Sequence, residues 1–205
     1  IADRAGRPLQ VVAVSARHRD TDRGVSLDGI DWFDDAREMA RAADCDVVVE
    51  LIGGAVGIAR EVVDGAIAAG RHVVTANKAL MAEHGTELAR TAEAAGLSLA
   101  YEAAVAGGIP IIKALREGLA ANNLRRVYGI LNGTCNYILT EMRDTGADFD
   151  EVLSDAQKLG YAEADPSFDV DGVDAAHKLA ILASLAFGVE VGFADVHVEG
   201  IRHVS

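Results

Sequence analysis

Cysteine is nearly missing from this 205-residue sequence: Cys45 and Cys135 are the only two, in apolar surroundings and without CxxC or Cys/His ligand spacing. That gives no sign of a disulfide framework or of a zinc site and makes a reducing cytoplasm the simplest compartment. Basic clusters are missing too. With 32 acidic against 19 basic side chains and a formal charge of −13, neither phosphate neutralisation nor polybasic attraction is on offer, so no nucleic-acid or membrane partner is expected. No apolar run approaches the roughly 20 residues of a membrane span, and "IADRAGRP" at the start lacks the positive-then-apolar layout of a signal peptide. There is no internal repeat, low-complexity tract or Pro-rich linker. A protein neither exported nor anchored, with small-molecule chemistry, fits these absences.

Half of the residues are hydrophobic, enough for one large or two modest domains. From residue 9 to about 102, β-rich runs alternate with alanine-rich segments. "LQVVAVSA" (9–16), "DVVVELIGG" (46–54), "HVVTA" (72–76) and "LSLAYE" (97–102) read as strands. "DDAREMARAA" (34–43), "IAREVVDGAIAAG" (58–70) and "EHGTELARTAEAAG" (83–96) read as crossover helices. The near-continuous apolar run "DVVVELI" is that of a parallel strand covered on both faces. The expected fold is α/β, a partial Rossmann-type doubly wound parallel sheet over 1–103. No strand leads into G-x-G-x-x-G, so the first strand reads as the second of such a sheet, with one βα unit missing before it. Beyond Ala104 helices dominate: 107–122, 125–142, 149–160 and 173–188, with "RVYGIL" (126–131) a strand candidate. Residues 104–205 are expected to form an α+β substrate and dimerisation domain.

Several residues fall where an α/β sheet binds ligands, at the carboxyl ends of strands. Gly53 and Gly54 of "ELIGGAVG" (50–57) follow a buried strand and precede a helix; they bring a backbone close to a cofactor, or simply make a tight turn. Ser15 and Arg17 of "VSARHRD" (14–20) stand where an acid would take a ribose 2′-hydroxyl, and their chemistry suits a 2′-phosphate, favouring NADP over NAD; a solvated loop is the plainer alternative. Thr75, Asn77 and Lys78 of "VVTANKAL" (73–80) close another strand, as cofactor contacts or as an ordinary solvent-facing edge.

"GYAEADPSFDVDGVDAAHK" (160–178) crowds acids next to one lysine. Asp174 and Lys178 are four apart and share a helix face, which alone is compatible with an ordinary ion pair. Lys178, however, opens the apolar run "LAILASLAF", and a partly buried amine requires carboxylate partners. Glu163, Asp169 and Asp174 supply more acid than one lysine needs, so a cationic ligand such as a substrate ammonium completes the balance. Calcium is excluded: aligned to an EF-hand loop, the position of the bidentate glutamate falls on Lys178.

Four stretches, in order, resemble homoserine dehydrogenase: "VVTANKAL" (73–80), "EAAVAGGIPIIKAL" (102–115), "GILNGTCNYIL" (129–139) and "AQKLGYAEADPSFDVDGVDAAHK" (156–178). The resemblance implies NAD(P)-dependent interconversion of L-homoserine and L-aspartate 4-semialdehyde, in threonine and methionine biosynthesis. It implies Lys178 as the acid/base residue and Lys78 as a second lysine near substrate and nicotinamide. Glu163 and Asp169 would hold the homoserine ammonium and Asp174 would partner Lys178, with Gly133 and Thr134 beside substrate and cofactor. It further implies a monovalent cation, sodium, at Glu102, Val105, Gly107 and Ile109, and a homodimer or higher homo-oligomer. Family members continue past "VEGIRHVS", so both domains are expected to be incomplete here. A non-catalytic fragment contributing only folding and subunit contacts is the competing expectation.

Overall fold

The computed structural model describes residues 2–205. They divide into two compact units, residues 2–80 with Thr86–Tyr101, and Met81–Gly85 with Glu102–Ser205.

The first unit opens with a one-turn helix α1 (Ala2–Ala5), the segment expected to end a crossover helix, followed by β1 (Ala13–Ser15) and β2 (Asp31–Phe33). After α2 (Ala36–Ala42) come β3 (Val47–Glu50), α3 (Ile58–Ala68), β4 (His72–Thr75), α4 (Lys78–Ala94) and β5 (Leu99–Ala100). All pairings are parallel. Instead of one continuous sheet, two ladders form, β1-β2 and β3-β4-β5. In register, Val47 faces His72 and Glu50 faces Thr75, so β3 and β4 end level and deliver their following loops to one edge.

Why these strands lie where they do is visible in their alternation. Val48, Glu50, Val73 and Thr75 point inward, towards α3, which packs on β3 and β4 with Ala59, Val62, Val63, Ala66 and Ile67 on its buried stripe. Val47, Val49 and Val74 face out and are exposed, so β3 is covered on one face, where its apolar run had predicted two. Helix starts follow their caps: Asp35 accepts from the Arg37 amide at α2, and Asn77 accepts from the Leu80 amide at α4. The sequence reading missed β2, whose three residues are too few to show a period.

The second unit is helical among the described residues. It contains α5 (Ile111–Lys113), which widens into a π-helical turn at Ala114–Gly118, then α6 (Gly133–Thr145), α7 (Phe149–Lys158), α8 (Ser167–Val170) and α9 (Val173–Phe187). The strand expected at 126–131 pairs with no strand among the described residues. Its outward residues Tyr128 and Ile130 are 87% and 78% exposed, and a strand needs a partner that sequence propensity cannot provide. The core joins Ile138 and Met142 of α6, Phe149, Val152 and Ala156 of α7, Ala162, and Val170 of α8; burying each large side chain contributes about 1.5–3 kcal/mol. Asp148 caps α7 by accepting from the Glu151 amide. Residues 198–201 lie against the α8–α9 turn, with the Ile201 amide donating to the Val170 carbonyl at 2.8 Å. Gly172 permits this approach: its φ is +86°, and a Cβ there would stand 2.9 Å from the Glu199 carbonyl oxygen. No helix among the described residues is long and apolar enough to cross a membrane.

Candidate active site

In the second unit, α9 places Asp174 in its first turn and Lys178 one turn on. The Lys178 ammonium donates to Asp174 Oδ2 at 2.6 Å and to the Leu131 carbonyl at 2.7 Å. Their side chains are 2% and 19% exposed for Asp174 and Lys178 respectively, so the pair is desolvated and hydrogen-bonded rather than a screened surface bridge. His177 anchors the same helix: it is buried between Phe168 and Phe193, at ring distances of 5.5 and 4.3 Å, and lies 3.9 Å from Glu83 Oε1.

Asp169, from α8, joins this pair through Asn132. The Asn132 Nδ2 donates to Asp169 Oδ1 at 2.7 Å and to Asp174 Oδ2 at 2.9 Å, while its Oδ1 caps α6 by accepting from the Cys135 amide at 2.8 Å. Thr134 Oγ1 stands 2.9 Å from both Asp169 Oδ2 and the Tyr161 carbonyl, which share its single proton. Gly133 is the exposed first residue of α6. Glu163 is exposed as well, on the loop 159–166 that Thr134 ties down at Tyr161; Gln157 holds the Glu163 carbonyl at 3.0 Å. The structure thus unites Asp169, Asp174, Thr134 and Lys178 in one hydrogen-bonded group and leaves the Glu163 carboxylate pointing to solvent. The Cys135 thiol, donating to the Asp169 carbonyl at 3.2 Å, is pushed up to about 11 by burial first and by the Asp169 and Asp174 charges second.

In the first unit, the carboxyl edge of β3-β4 holds a second network. Glu50, 1% exposed, accepts from the amides of Ile52 and Gly53 at 2.6 and 3.1 Å and from the Thr75 hydroxyl at 2.5 Å. The Asn77 amide donates to Thr75 Oγ1, and Asn77 Nδ2 donates to the Gly54 carbonyl at 2.7 Å. Gly53 and Gly54, at φ +88° and +85°, make the turn that these bonds require. The turn 51–54 is exposed, and a Cβ at Gly53 would meet no atom within 4 Å, so its outer surface fits the close approach of a dinucleotide. Thr75 and Asn77 are buried and committed to the turn, which makes them shapers of that surface rather than direct side-chain contacts. Lys78 is half-buried as the first residue of α4. Ser15 ends β1 and Arg17 is exposed beyond it. Arg19 and Arg23 lie 5.8 and 5.6 Å from the Trp32 ring.

The four residues implied for a cation lie on the stretch 102–109. Glu102 accepts from the Ile112 and Lys113 amides at 2.8 and 2.9 Å, one with each carboxylate oxygen, and thereby starts α5. Val105 is buried, Gly107 and Ile109 are exposed, and Ala106 between them takes φ +49°. The donors that remain are carbonyl oxygens, hard ligands that fit a monovalent ion; no group of three His, Cys, Asp or Glu side chains gathers among the described residues.

A parallel α/β unit with a glycine turn at its carboxyl edge, followed by a helical unit built round a buried acid–amine group, defines a two-part protein of the dinucleotide-binding α/β class. The homoserine dehydrogenase NAD-binding domain profile matches residues 1–102, and the homoserine dehydrogenase profile matches residues 110–205. The homoserine dehydrogenase of Pseudomonas aeruginosa is 54% identical over all of this chain and 46% of its own length. The crystal structure of the Thiobacillus denitrificans homoserine dehydrogenase superposes at TM-score 0.92, with 52% identity over 99% of this chain and 47% of that one. A hyperthermophilic archaeal homoserine dehydrogenase in complex with NADPH gives TM-score 0.75 and 31% identity over 83% of this chain and 52% of its own. The chain belongs to the homoserine dehydrogenase family. It spans about half the length of the curated relatives it matches.

Asn132 and Glu50 are the residues sequence reasoning missed. The signal for Asn132 was present, an asparagine directly before a helix; Glu50 was hidden as one acid inside an apolar run.

Proposed function

We propose that the protein to which this chain belongs interconverts L-homoserine and L-aspartate 4-semialdehyde with a nicotinamide cofactor, NADP in preference to NAD. The observation that carries this reading is the desolvated Lys178–Asp174 pair in a chain of this family. The cofactor, when bound, supplies or accepts the hydride. Lys178 gives a proton to the carbonyl oxygen as it becomes an alkoxide, and takes it back in the reverse direction. An ammonium has three donors; Asp174 and Leu131 hold two of Lys178's, and the third is offered to the reacting oxygen. Asp174 keeps that amine aimed.

Asp169, Asp174 and Lys178 together sum to one negative charge, which the substrate ammonium balances, with Glu163 as a further acid at the entrance. Gly133 and Thr134 line the same group. By resemblance, Lys78 serves substrate and nicotinamide; Ser15 and Arg17 take the 2′-phosphate; Gly53, Gly54, Thr75 and Asn77 form the cofactor turn. Sodium is assigned to Glu102, Val105, Gly107 and Ile109 with a structural role. The domains run 1–103 and 104–205, the assembly is a homodimer or higher homo-oligomer, and the setting is threonine and methionine biosynthesis in the cytoplasm.

The deciding experiment compares L-aspartate 4-semialdehyde with aldehydes of the same length lacking the α-amino group, using full-length protein and NADPH. Turnover restricted to the amino aldehyde is expected. Equal turnover of the amine-free analogue would remove the acids from substrate binding.

A further inference from the structure

We infer that Asn132 is the positioning residue of this site: one side-chain amide holds two like-charged carboxylates together and so fixes the partner of Lys178. This rests on the reading of Lys178 as proton donor. Three bonds define the role. Nδ2 reaches Asp169 Oδ1 and Asp174 Oδ2 at 2.7 and 2.9 Å, and Oδ1 receives the Cys135 amide at 2.8 Å. The capping bond fixes which way the amide faces. Flipped, its NH₂ would meet the Cys135 N–H and its oxygen would meet two carboxylates, so every bond would become a repulsion.

Asp174 Oδ2 is the oxygen that Lys178 also uses, at 2.6 Å. That single oxygen therefore lies between an amine and an amide, both donating, and its direction is set from both sides. Without Nδ2, Asp169 and Asp174 would face each other in a partly buried site with no donor between them, and like charges so placed drive one carboxyl to take up a proton. A protonated Asp174 would no longer hold Lys178 by an ion pair. Few side chains fit position 132. Asparagine combines one acceptor with two donors on a single-carbon arm. Serine keeps the cap and offers one donor; aspartate keeps the cap and brings a third acid.

The test uses Asn132→Ala and Asn132→Ser in full-length protein, with Asp148→Ala as a control that removes the cap of α7 away from the site. Two readouts are taken. In cofactor-free protein, the ¹³C-observed titration midpoint of the Asp174 carboxyl is expected to rise by about one pH unit in Asn132→Ala and by less in Asn132→Ser. In turnover, kcat is expected to fall on the order of ten-fold or more with the acidic limb of its pH profile moved upward, while KM for cofactor is unchanged. Asp148→Ala should lower stability and leave both the midpoint and the limb in place. An unshifted Asp174 midpoint in Asn132→Ser, which keeps the cap if the alanine variant does not fold, overturns the inference. So does an equal shift in Asp148→Ala. Absence of homoserine turnover in the wild-type protein would sink the proposed function instead, and the carboxyl titration would still decide the role of Asn132.

Discussion

Lys178 and Asp174 stand one helical turn apart on α9 and meet at 2.6 Å, with the Leu131 carbonyl taking a second proton of the same ammonium at 2.7 Å. An ordinary i,i+4 pair at a surface contributes about 0.3–0.5 kcal/mol and has no third partner. Here the amine is held at two points and mostly withdrawn from water.

Replacing Lys178 by alanine in the full-length protein is therefore expected to lower kcat on the order of 10²–10⁴-fold with the thermal unfolding transition still cooperative. Steady-state kinetics alongside calorimetry checks both halves. Retained turnover would take Lys178 out of the chemistry.

Cys135 gives a pH prediction. Its thiol is raised to about 11, by burial and then by Asp169 and Asp174, above an unfolded value near 9. The folded state thus binds this proton more tightly: its contribution to stability is complete below pH 9 and is lost as pH rises towards 11. At neutral pH the thiolate is about a hundred-fold scarcer than in an ordinary cysteine, so iodoacetamide should label Cys135 slowly in folded protein and rapidly in urea, as read by peptide mass spectrometry. Fast labelling of the folded form would contradict the burial.

Glu50 accepts three hydrogen bonds at the end of β3. Glu50→Gln preserves its size but turns an NH₂ towards groups that donate, leaving a buried donor unsatisfied. A loss of about 1–3 kcal/mol is expected from urea unfolding, together with weaker NADPH binding as the 51–54 turn loosens. An unchanged midpoint would show that the turn is held by Asn77 and Thr75 alone.

For cofactor choice, Arg17→Ala should weaken NADPH selectively over NADH, on the order of ten-fold, in fluorescence titrations. Equal loss for both would make Arg17 a stability residue.

Much of the first unit was legible because buried parallel strands declare themselves locally: β3, β4, α3 and the glycine turn after β3 lie inside the stretches marked from sequence. β2 is only three residues, Asp31–Phe33, and carries no period to detect. The segment 126–131 has strand chemistry, but pairing is non-local and no strand meets it among the described residues. The site divides in the same way. Asp174 and Lys178 were visible as neighbours on a helix; Asn132 reaches across 37 and 42 positions to its two carboxylates, a distance over which spacing rules carry no information. Glu163 was grouped with them by its charge and by resemblance, and its side chain is exposed.

Gly172 and Gly200 carry no functional group, yet they decide how far this unit can drift in sequence. A Cβ at Gly172 would stand 2.9 Å from the Glu199 oxygen, and one at Gly200 would stand 2.8 Å from the Val170 oxygen. Either would wedge the tail segment away from the start of α9, whose second residue is Asp174. The start of the helix that carries Asp174 and Lys178 therefore depends on two positions where any side chain would push against backbone.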